Sequence, residues 1–122
     1  MEIIPIGRVI DNQEGRARIE VLLEYQDGLY RIEESDEILV LYVFDRTDEV
    51  RMHVHPRGDL RNPKVGVFAS RSPTRPNHIA VTTVRLVAVD GNILTVEGMD
   101  ALDGSPVVDI KPAKRRDEAD VL

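Results

Sequence analysis

From Arg16 to Leu23 the chain alternates: Ala17, Ile19, Val21 and Leu23 are apolar, while Arg16, Arg18 and Glu20 are charged. A period of two places these sets on opposite faces of an extended strand, one buried and one wet. Leu22 breaks the pattern near its end. Such a strand needs partners, and the composition supplies them. Sixteen Val and ten Ile outweigh ten Leu and seven Ala. β-Branched side chains pack well on a pleated surface and lose rotamer freedom in helices. Eight Gly and seven Pro punctuate the runs. An all-β or β-dominated fold follows.

The rest of the chain reads in the same terms. Residues 2–10 form a strand with Pro5 near its start, and DNQEG (11–15) is a turn. Residues 25–37 read as a loop with one short helical turn, in which Leu29 and Ile32 face the core together. Ile38–Phe44 is apolar throughout and bounded by charges, the pattern of a central strand buried on both faces. Val50, Met52 and Val54 alternate with Arg51, His53 and His55, a strand with one cationic face. A Pro/Gly-bearing loop, 56–64, leads to a short strand at 65–69. SRSPTRPN (70–77), with two prolines and no periodicity, is a loop. Residues 79–89 form a strand with Val84, Leu86 and Ala88 on one face. Asp90-Gly91 signals a hairpin into a partner strand at 93–97. The turn LDGSP precedes a last strand at 107–110. About seven short strands with little helix predict a closed or partly closed barrel-like sheet. The barrel domain is expected over residues 1–112, with a charged, frayed tail over 113–122.

With 122 residues there is room for one domain and hardly for two. The absence of cysteine excludes a disulfide scaffold and a thiolate metal site. The longest apolar run has seven residues, too few for a membrane-spanning helix. The start, MEIIPIGRVID, lacks the charged and apolar regions of a signal peptide, so a cytoplasmic protein is expected.

The net charge of −6 argues superficially against a nucleic-acid partner. Its distribution argues otherwise. Residues 46–75 carry seven Arg or Lys against three Asp or Glu, a local excess of four, which leaves the remainder at −10. Exposed charges are screened beyond about 8–10 Å, so phosphate contact depends on the local patch. Charge alone fits a solvated loop equally well.

Two loops carry candidate chemistry. Ser70–His78 holds Arg71 and Arg75, four apart, braced by Pro73 and Pro76 and by three hydroxyl residues. Arginine forks bind carboxylates or phosphates, and prolines lower the entropy lost when such a loop takes a ligand. A structural turn with surface arginines explains the same residue types. The second loop, Asp100–Pro106, carries Asp100 and Asp103, which can accept hydrogen bonds from an amine or from ribose hydroxyls. On chemistry alone, Asp103-Gly104 as a simple chain reversal is the plainer reading. His53 and His55 share a strand face, but no His/Glu spacing resembles a zinc motif, so no metal site is expected. Neither GxGxxG, a P-loop nor a GxSxG elbow is present, so any nucleotide-like cofactor is held without the Rossmann device.

GVFASRSPTRPNHIAVTTVRL (66–86) and VEGMDALDGSPVVDIKP (96–112) resemble the two signature segments of the TsaA-like family, and EYQDGLYRIEESDEILVLYVFDR, ending at Arg46, is similar as well. Together the resemblance covers most of residues 2–112. Characterised members of that family are S-adenosylmethionine-dependent tRNA methyltransferases (tRNA methyltransferase O). The resemblance implies a single-sheeted β-barrel methyltransferase, homodimeric, that methylates N6 of threonylcarbamoyladenosine beside the anticodon. It implies S-adenosylmethionine contacts at Asp45 and Arg46, at Arg71, at Val81, and at Asp100, Ala101, Leu102 and Asp103. The basic segment 46–75 would then face the tRNA backbone. No catalytic residue follows from the resemblance; His53, His55 and His78 are the candidates for a base.

The chain departs from the family at several points. The family's Pro-Arg-Gln segment between the first two strands is absent, its place taken by DNQEG. His78 stands for a proline, Ala80 for a glycine and Asp45 for a histidine. These departures keep two alternatives open: a non-catalytic S-adenosylmethionine or nucleotide-binding module, and a methyltransferase with a small-molecule acceptor.

Overall fold

The computed structural model describes residues 1–115. The chain divides into two compact units: Met1–Tyr42 with the chain from Val81 onward, and Val43–Ala80. The first unit is built on a closed antiparallel barrel. Its strands are β1 (Gly7–Gln13), β2 (Arg16–Val21), β3 (Ser35–Val43), β6 (Ile79–Asp90), β7 (Ile93–Glu97) and β8 (Pro106–Arg115), in the order β1-β2-β7-β6-β3-β8 with β8 returning to β1. The second unit carries β4 (His53–Val54) and β5 (Val65–Gly66) as a separate two-stranded sheet. The all-β barrel expected from the sequence is therefore present, with six strands in the barrel and two outside it. Helix among the described residues is limited to short 3-10 turns.

Closure removes the unpaired edges of an open sheet. It also gathers the apolar face of each strand inside. Val9 sits opposite Ile19 across β1 and β2, and Ile19 opposite Leu94 across β2 and β7. All three are fully buried, as are Val96, Ile38, Val40 and Val107. Each such aliphatic side chain contributes about 1.5–3 kcal/mol by leaving water. The alternation expected from Arg16 to Leu23 is observed as far as Val21, where β2 ends: Ala17, Ile19 and Val21 are buried and Arg16 and Arg18 are exposed, but Leu23 opens a 3-10 turn and is exposed. The hairpin is also observed, with Asp90 opposite Ile93 and Gly91-Asn92 as its two-residue loop.

Several expectations shift. The first strand runs from Gly7 to Gln13, not over 2–10, because Pro5 has no N–H to donate to a ladder. Ile38–Phe44 is not buried on both faces: Ile38, Val40 and Tyr42 point into the barrel, while Leu39 and Leu41 are half-buried. Of the strand expected at 50–55 only His53–Val54 pairs, and Val50 and Met52 are exposed. In β6 the register slips between Leu86 and Ala88, so Ala88 leaves the face that Val84 begins and is exposed. Leu29 is buried as expected, but Ile32 is only half-buried. β8 continues three residues past the expected boundary at 112, with Arg115 opposite Ser35. Residues 116–122 of the expected tail lie outside the described residues.

Gly7 marks the tightest approach in the barrel. A Cβ built there would lie 2.3 Å from the Glu20 carbonyl oxygen, a backbone atom that cannot swing aside. Gly7→Ala is expected to cost about 1–3 kcal/mol, the range for forced overpacking. Urea unfolding checks this: the midpoint should fall at constant slope. An unchanged midpoint would show that β1 moves away at no cost.

Candidate functional site

The acidic turn lies between β7 and β8. Its four residues differ in setting: Ala101 is buried, while Asp100, Leu102 and Asp103 are exposed. The backbone is pinned on both sides. The N–H of Gly104 donates to the Val9 carbonyl at 2.7 Å, and the N–H of Val9 donates to the Ser105 carbonyl at 3.0 Å. The hydroxyl and the N–H of Ser105 both donate to the Leu102 carbonyl, at 2.6 and 3.1 Å. Gly104 has φ +85°, the left-handed region that glycine enters without penalty.

Asn12, from the turn expected only to reverse the chain, holds the other side. Its side-chain amide donates to the carbonyls of Met99 (3.2 Å) and Ala101 (2.7 Å). Its amide oxygen accepts the N–H of Gly15 at 2.9 Å. Its backbone N–H donates to Oδ1 of Asp103 at 2.6 Å. The N–H groups of Gly98 and Met99 both donate to the Gly15 carbonyl, each at 3.0 Å. One short turn thus orders the whole stretch from Gly98 to Asp103.

Asp100 is fixed from below. The Tyr42 hydroxyl donates to its Oδ1 at 3.0 Å. Tyr42 is only 3% exposed, and burial, reinforced by the Asp100 carboxylate, pushes its phenol well above the ordinary value near 10. The result is a rigid turn with two exposed carboxylates beside the apolar Leu102 side chain, which is 60% exposed. This acceptor set suits hydroxyl or ammonium groups next to an apolar body. Val81 sits half-buried in β6.

The second unit holds Asp45, Arg46 and Arg71. Asp45 and Arg46 occupy an exposed turn just past β3. The loop 70–77 contains two arginines with unlike roles. Arg75 turns onto its own loop: its Nη1 donates to the carbonyls of Ser70 (3.0 Å) and Ser72 (3.2 Å), with Val67 at 3.4 Å. It is a structural tie, not a second ligand fork. The Ser72 and Thr74 hydroxyls bond each other at 2.9 Å, and the Ser72 N–H donates to the Ser70 hydroxyl at 3.2 Å. Arg71 is exposed on the outside of this braced loop. It lines a hollow of about 410 Å3 with His55, Arg57, Ser70 and Ser72.

Two of the histidine candidates are committed to loop carbonyls. Nδ1 of His55 bonds the Asn62 carbonyl at 2.9 Å, and Nε2 of His78 bonds the Glu49 carbonyl at 2.9 Å. A carbonyl only accepts, so each of these nitrogens carries a proton. His53 is exposed in β4. Among the described residues no group of three His, Asp or Glu side chains gathers as metal ligands. The barrel unit has a further hollow of about 690 Å3, lined by Tyr25, Tyr30 and Ile110 among others. It includes none of Asp100–Asp103. No helix among the described residues is long and apolar enough to cross a membrane.

Among the described residues the fold is a closed antiparallel barrel that carries a braced acidic turn. Comparison with known proteins narrows it. The family model for the tRNA-methyltransferase O N-terminal domain matches residues 4–118, and the chain belongs to that family. A probable S-adenosyl-L-methionine-binding protein of Archaeoglobus fulgidus is 50% identical over 94 residues, covering 77% of this chain and 25% of that protein. A probable S-adenosyl-L-methionine-binding protein of Methanocaldococcus jannaschii is 39% identical over 111 residues, covering 88% of this chain and 87% of that protein. A tRNA (adenine(37)-N6)-methyltransferase of Mus musculus is 38% identical over 89 residues, covering 71% of this chain and 20% of that protein. The crystal structure of TrmO from Pseudomonas aeruginosa superposes with a TM-score of 0.69 at 27% identity, over 92% of this chain and 55% of that one. The chain thus spans a quarter of the Archaeoglobus protein and about half of the solved structure.

The sequence located the acidic turn and the arginine loop. It missed Asn12, Tyr42 and the inward role of Arg75. Asn in a turn beside Gly15 is the one local signal for Asn12, and it does not name the partner some 90 residues away.

Removing the Asn12 side chain leaves the carbonyls of Met99 and Ala101 without these donors. Asn12→Ala is expected to lower unfolding stability by about 1–3 kcal/mol in chemical denaturation; a change within error would show that the turn stands without it. The folded state holds Tyr42 protonated above the pH at which an unfolded tyrosine ionises. Its stabilisation is therefore complete below about pH 10 and declines as pH rises beyond that value. Tyr42→Phe should flatten this alkaline decline in a stability-against-pH profile, and an unchanged profile would contradict the assignment.

Proposed function

We propose that this chain is an S-adenosylmethionine-dependent methyltransferase acting on tRNA, with N6 of threonylcarbamoyladenosine beside the anticodon as the acceptor. The observation that carries the reading is the braced turn Asp100–Asp103, set in a barrel of the tRNA-methyltransferase O family. The name of the mouse relative supports tRNA adenine as the acceptor. The archaeal names support the cofactor.

The residues present fit such a cofactor. Exposed carboxylates suit its ribose hydroxyls and ammonium group, and Leu102 offers an apolar wall. Asp100, Ala101, Leu102 and Asp103 are assigned to it from the barrel unit, together with Val81. The family resemblance also assigns Asp45, Arg46 and Arg71 to it. When bound, S-adenosylmethionine supplies a methyl group on a sulfonium centre. This chain's residues then act by binding and orientation, which supplies much of the rate in a bimolecular transfer. The basic segment 46–75 takes the tRNA backbone. The protein works as a homodimer in the cytoplasm, in keeping with the family resemblance.

A second reading is a module that binds the cofactor without transferring methyl. The DNQEG turn favours it, because the Pro-Arg-Gln segment of the family is missing. The archaeal relatives are likewise named for binding alone.

Calorimetry and a transfer assay separate the two. The natural protein should bind S-adenosylmethionine, and Arg71→Ala and Asp100→Ala should each weaken binding about tenfold, equivalent to ~1.4 kcal/mol. Labelled methyl should pass to tRNA bearing threonylcarbamoyladenosine and not to an unmodified transcript. Binding without transfer would favour the module. Transfer that is independent of RNA and insensitive to salt would favour a small-molecule acceptor. No binding at all would contradict both cofactor readings.

A further inference from the structure

The barrel unit's hollow of about 690 Å3 shares no lining residue with the acidic turn, and all of its lining residues belong to that unit. Its size falls within the range of small-molecule pockets, roughly 300–1,000 Å3. Leu29, Ile32 and Ile110 give it apolar walls, and Tyr25 and Tyr30 add two aromatic rings. Its charges are unevenly matched. Glu34 is held by Arg31 through two bonds of 2.6 and 2.7 Å, and Asp109 is held by Lys111 at 2.8 Å. Arg31 and Lys111 are the two cations that line the hollow. Two further lining carboxylates, Glu24 and Asp27, are exposed and have no side-chain partner among the described residues.

Two independent observations point to an occupant. Ser35, which opens β3, lines the hollow and is only 6% exposed. Its hydroxyl has no hydrogen-bond partner among the described residues. Hydroxyls this enclosed are almost always bonded, and leaving one unmade costs free energy. No fully sealed side-chain oxygen or nitrogen among the described residues lacks a partner, so the Ser35 hydroxyl keeps access to the space of the hollow. A polar atom entering that space would satisfy it. The second observation is Gly28, which borders the hollow from the 3-10 turn Leu23–Leu29. Its φ lies outside the left-handed region, and a Cβ built on it meets no atom of the surrounding protein within 4 Å. Neither the backbone nor protein packing demands glycine there, while a longer side chain would occupy room at the hollow.

We propose that this hollow binds a primary alkylammonium of small-molecule size, the class to which polyamines belong. Glu24 and Asp27 supply the attraction, and the ammonium N–H groups donate to their carboxylates and to the Ser35 oxygen. The rings of Tyr25 and Tyr30 favour the same charge. The methylene chain lies against Leu29, Ile32 and Ile110 and leaves water there. An anion meets the opposite conditions, because both lining cations are already paired and two carboxylates remain. A quaternary ammonium has the charge but no N–H for Ser35. The site stands apart from the cofactor reading and does not depend on it.

The test is calorimetry on the full chain at fixed ionic strength, with spermidine as the probe, choline as the quaternary control and S-adenosylmethionine in parallel. The natural protein should bind spermidine saturably and choline far more weakly. Ser35→Ala removes a hydroxyl that bonds nothing in the protein, and Asp27→Asn removes one free carboxylate. Each should weaken spermidine binding several-fold while the urea midpoint and cofactor binding stay in place. Gly28→Leu should fill the hollow and abolish spermidine binding without lowering the midpoint. Asp48→Asn, at an exposed acid that does not line the hollow, should change nothing. Failure of the natural protein to bind spermidine would overturn the proposal. Equal weakening by Asp27→Asn and Asp48→Asn would overturn it in favour of general counterion attraction. Full binding in Gly28→Leu would place the amine outside the hollow. Choline binding as tight as that of spermidine, and unmoved by Ser35→Ala, would overturn the hydrogen-bonded amine. Competition between spermidine and S-adenosylmethionine would overturn a separate site and give the hollow to the cofactor.

Discussion

The hydrogen bonds of Asn12 set the geometry on which the candidate site depends. A single side chain satisfies the carbonyls of Met99 and Ala101 and accepts from Gly15, while its backbone N–H reaches Asp103. Asn alone among common residues offers both an amide donor pair and an acceptor at this length. The turn that presents it is compact because Glu14 and Gly15 both take positive φ. Without that clamp, the segment between β7 and β8 would be an exposed loop carrying two carboxylates, and ordering it would cost entropy at the moment of binding. With it, Asp100 and Asp103 are held before any ligand arrives. The DNQEG segment, read in the sequence as a turn standing where the family has Pro-Arg-Gln, therefore has a structural task of its own: Asn12 lies at the end of β1, which runs to Gln13, and only Glu14-Gly15 turns the chain.

The loop 70–77 follows the same logic with different groups. Its carbonyls would be left without partners in a segment too irregular for a ladder. Arg75 supplies donors to the Ser70 and Ser72 carbonyls from within the loop, the N–H groups of Arg51 and His78 donate to the carbonyls of Thr74 and Arg75, and the Ser72 and Thr74 hydroxyls bond each other. Arg71 is thereby left on the outer side of a stiff scaffold. In contrast, the ion pairs Arg16–Glu97, Arg85–Glu97 and Arg8–Glu20 lie on exposed strand faces, where such pairs contribute about 0–1 kcal/mol each. The barrel is held by its aliphatic interior, and the two candidate loops are held by neutral and charge-assisted hydrogen bonds.

What was legible in the sequence was what is local. The period of two in β2 predicted its buried Ala17, Ile19 and Val21, and Asp90-Gly91 predicted the β6–β7 hairpin. The barrel itself followed from many short β-branched runs. The acidic turn and the arginine loop were found from residue chemistry and from the family resemblance. Less legible features depend on partners far away in the chain. The bulge that exposes Ala88 is set by pairing with β7, and nothing in VRLVAVD announces it. Val50 and Met52 have the pattern of a strand face but no long partner strand, so only His53 and Val54 pair. Arg71 and Arg75 are identical in type and differ only in which way the folded loop turns them. Tyr42 looked like one more apolar position in ILVLYVF, yet its hydroxyl ends on Asp100, 58 residues away.

The proposed S-adenosylmethionine site is the turn braced by Asn12 and Tyr42. The most direct measurement is a titration of the labelled protein followed through its backbone amide resonances. Binding there predicts saturable shifts concentrated at Asp100–Asp103 and at the N–H of Asn12, whose acceptor is the Asp103 carboxylate. Shifts confined to residues around the larger hollow, such as Tyr25 and Tyr30, with the acidic turn unmoved, would contradict it.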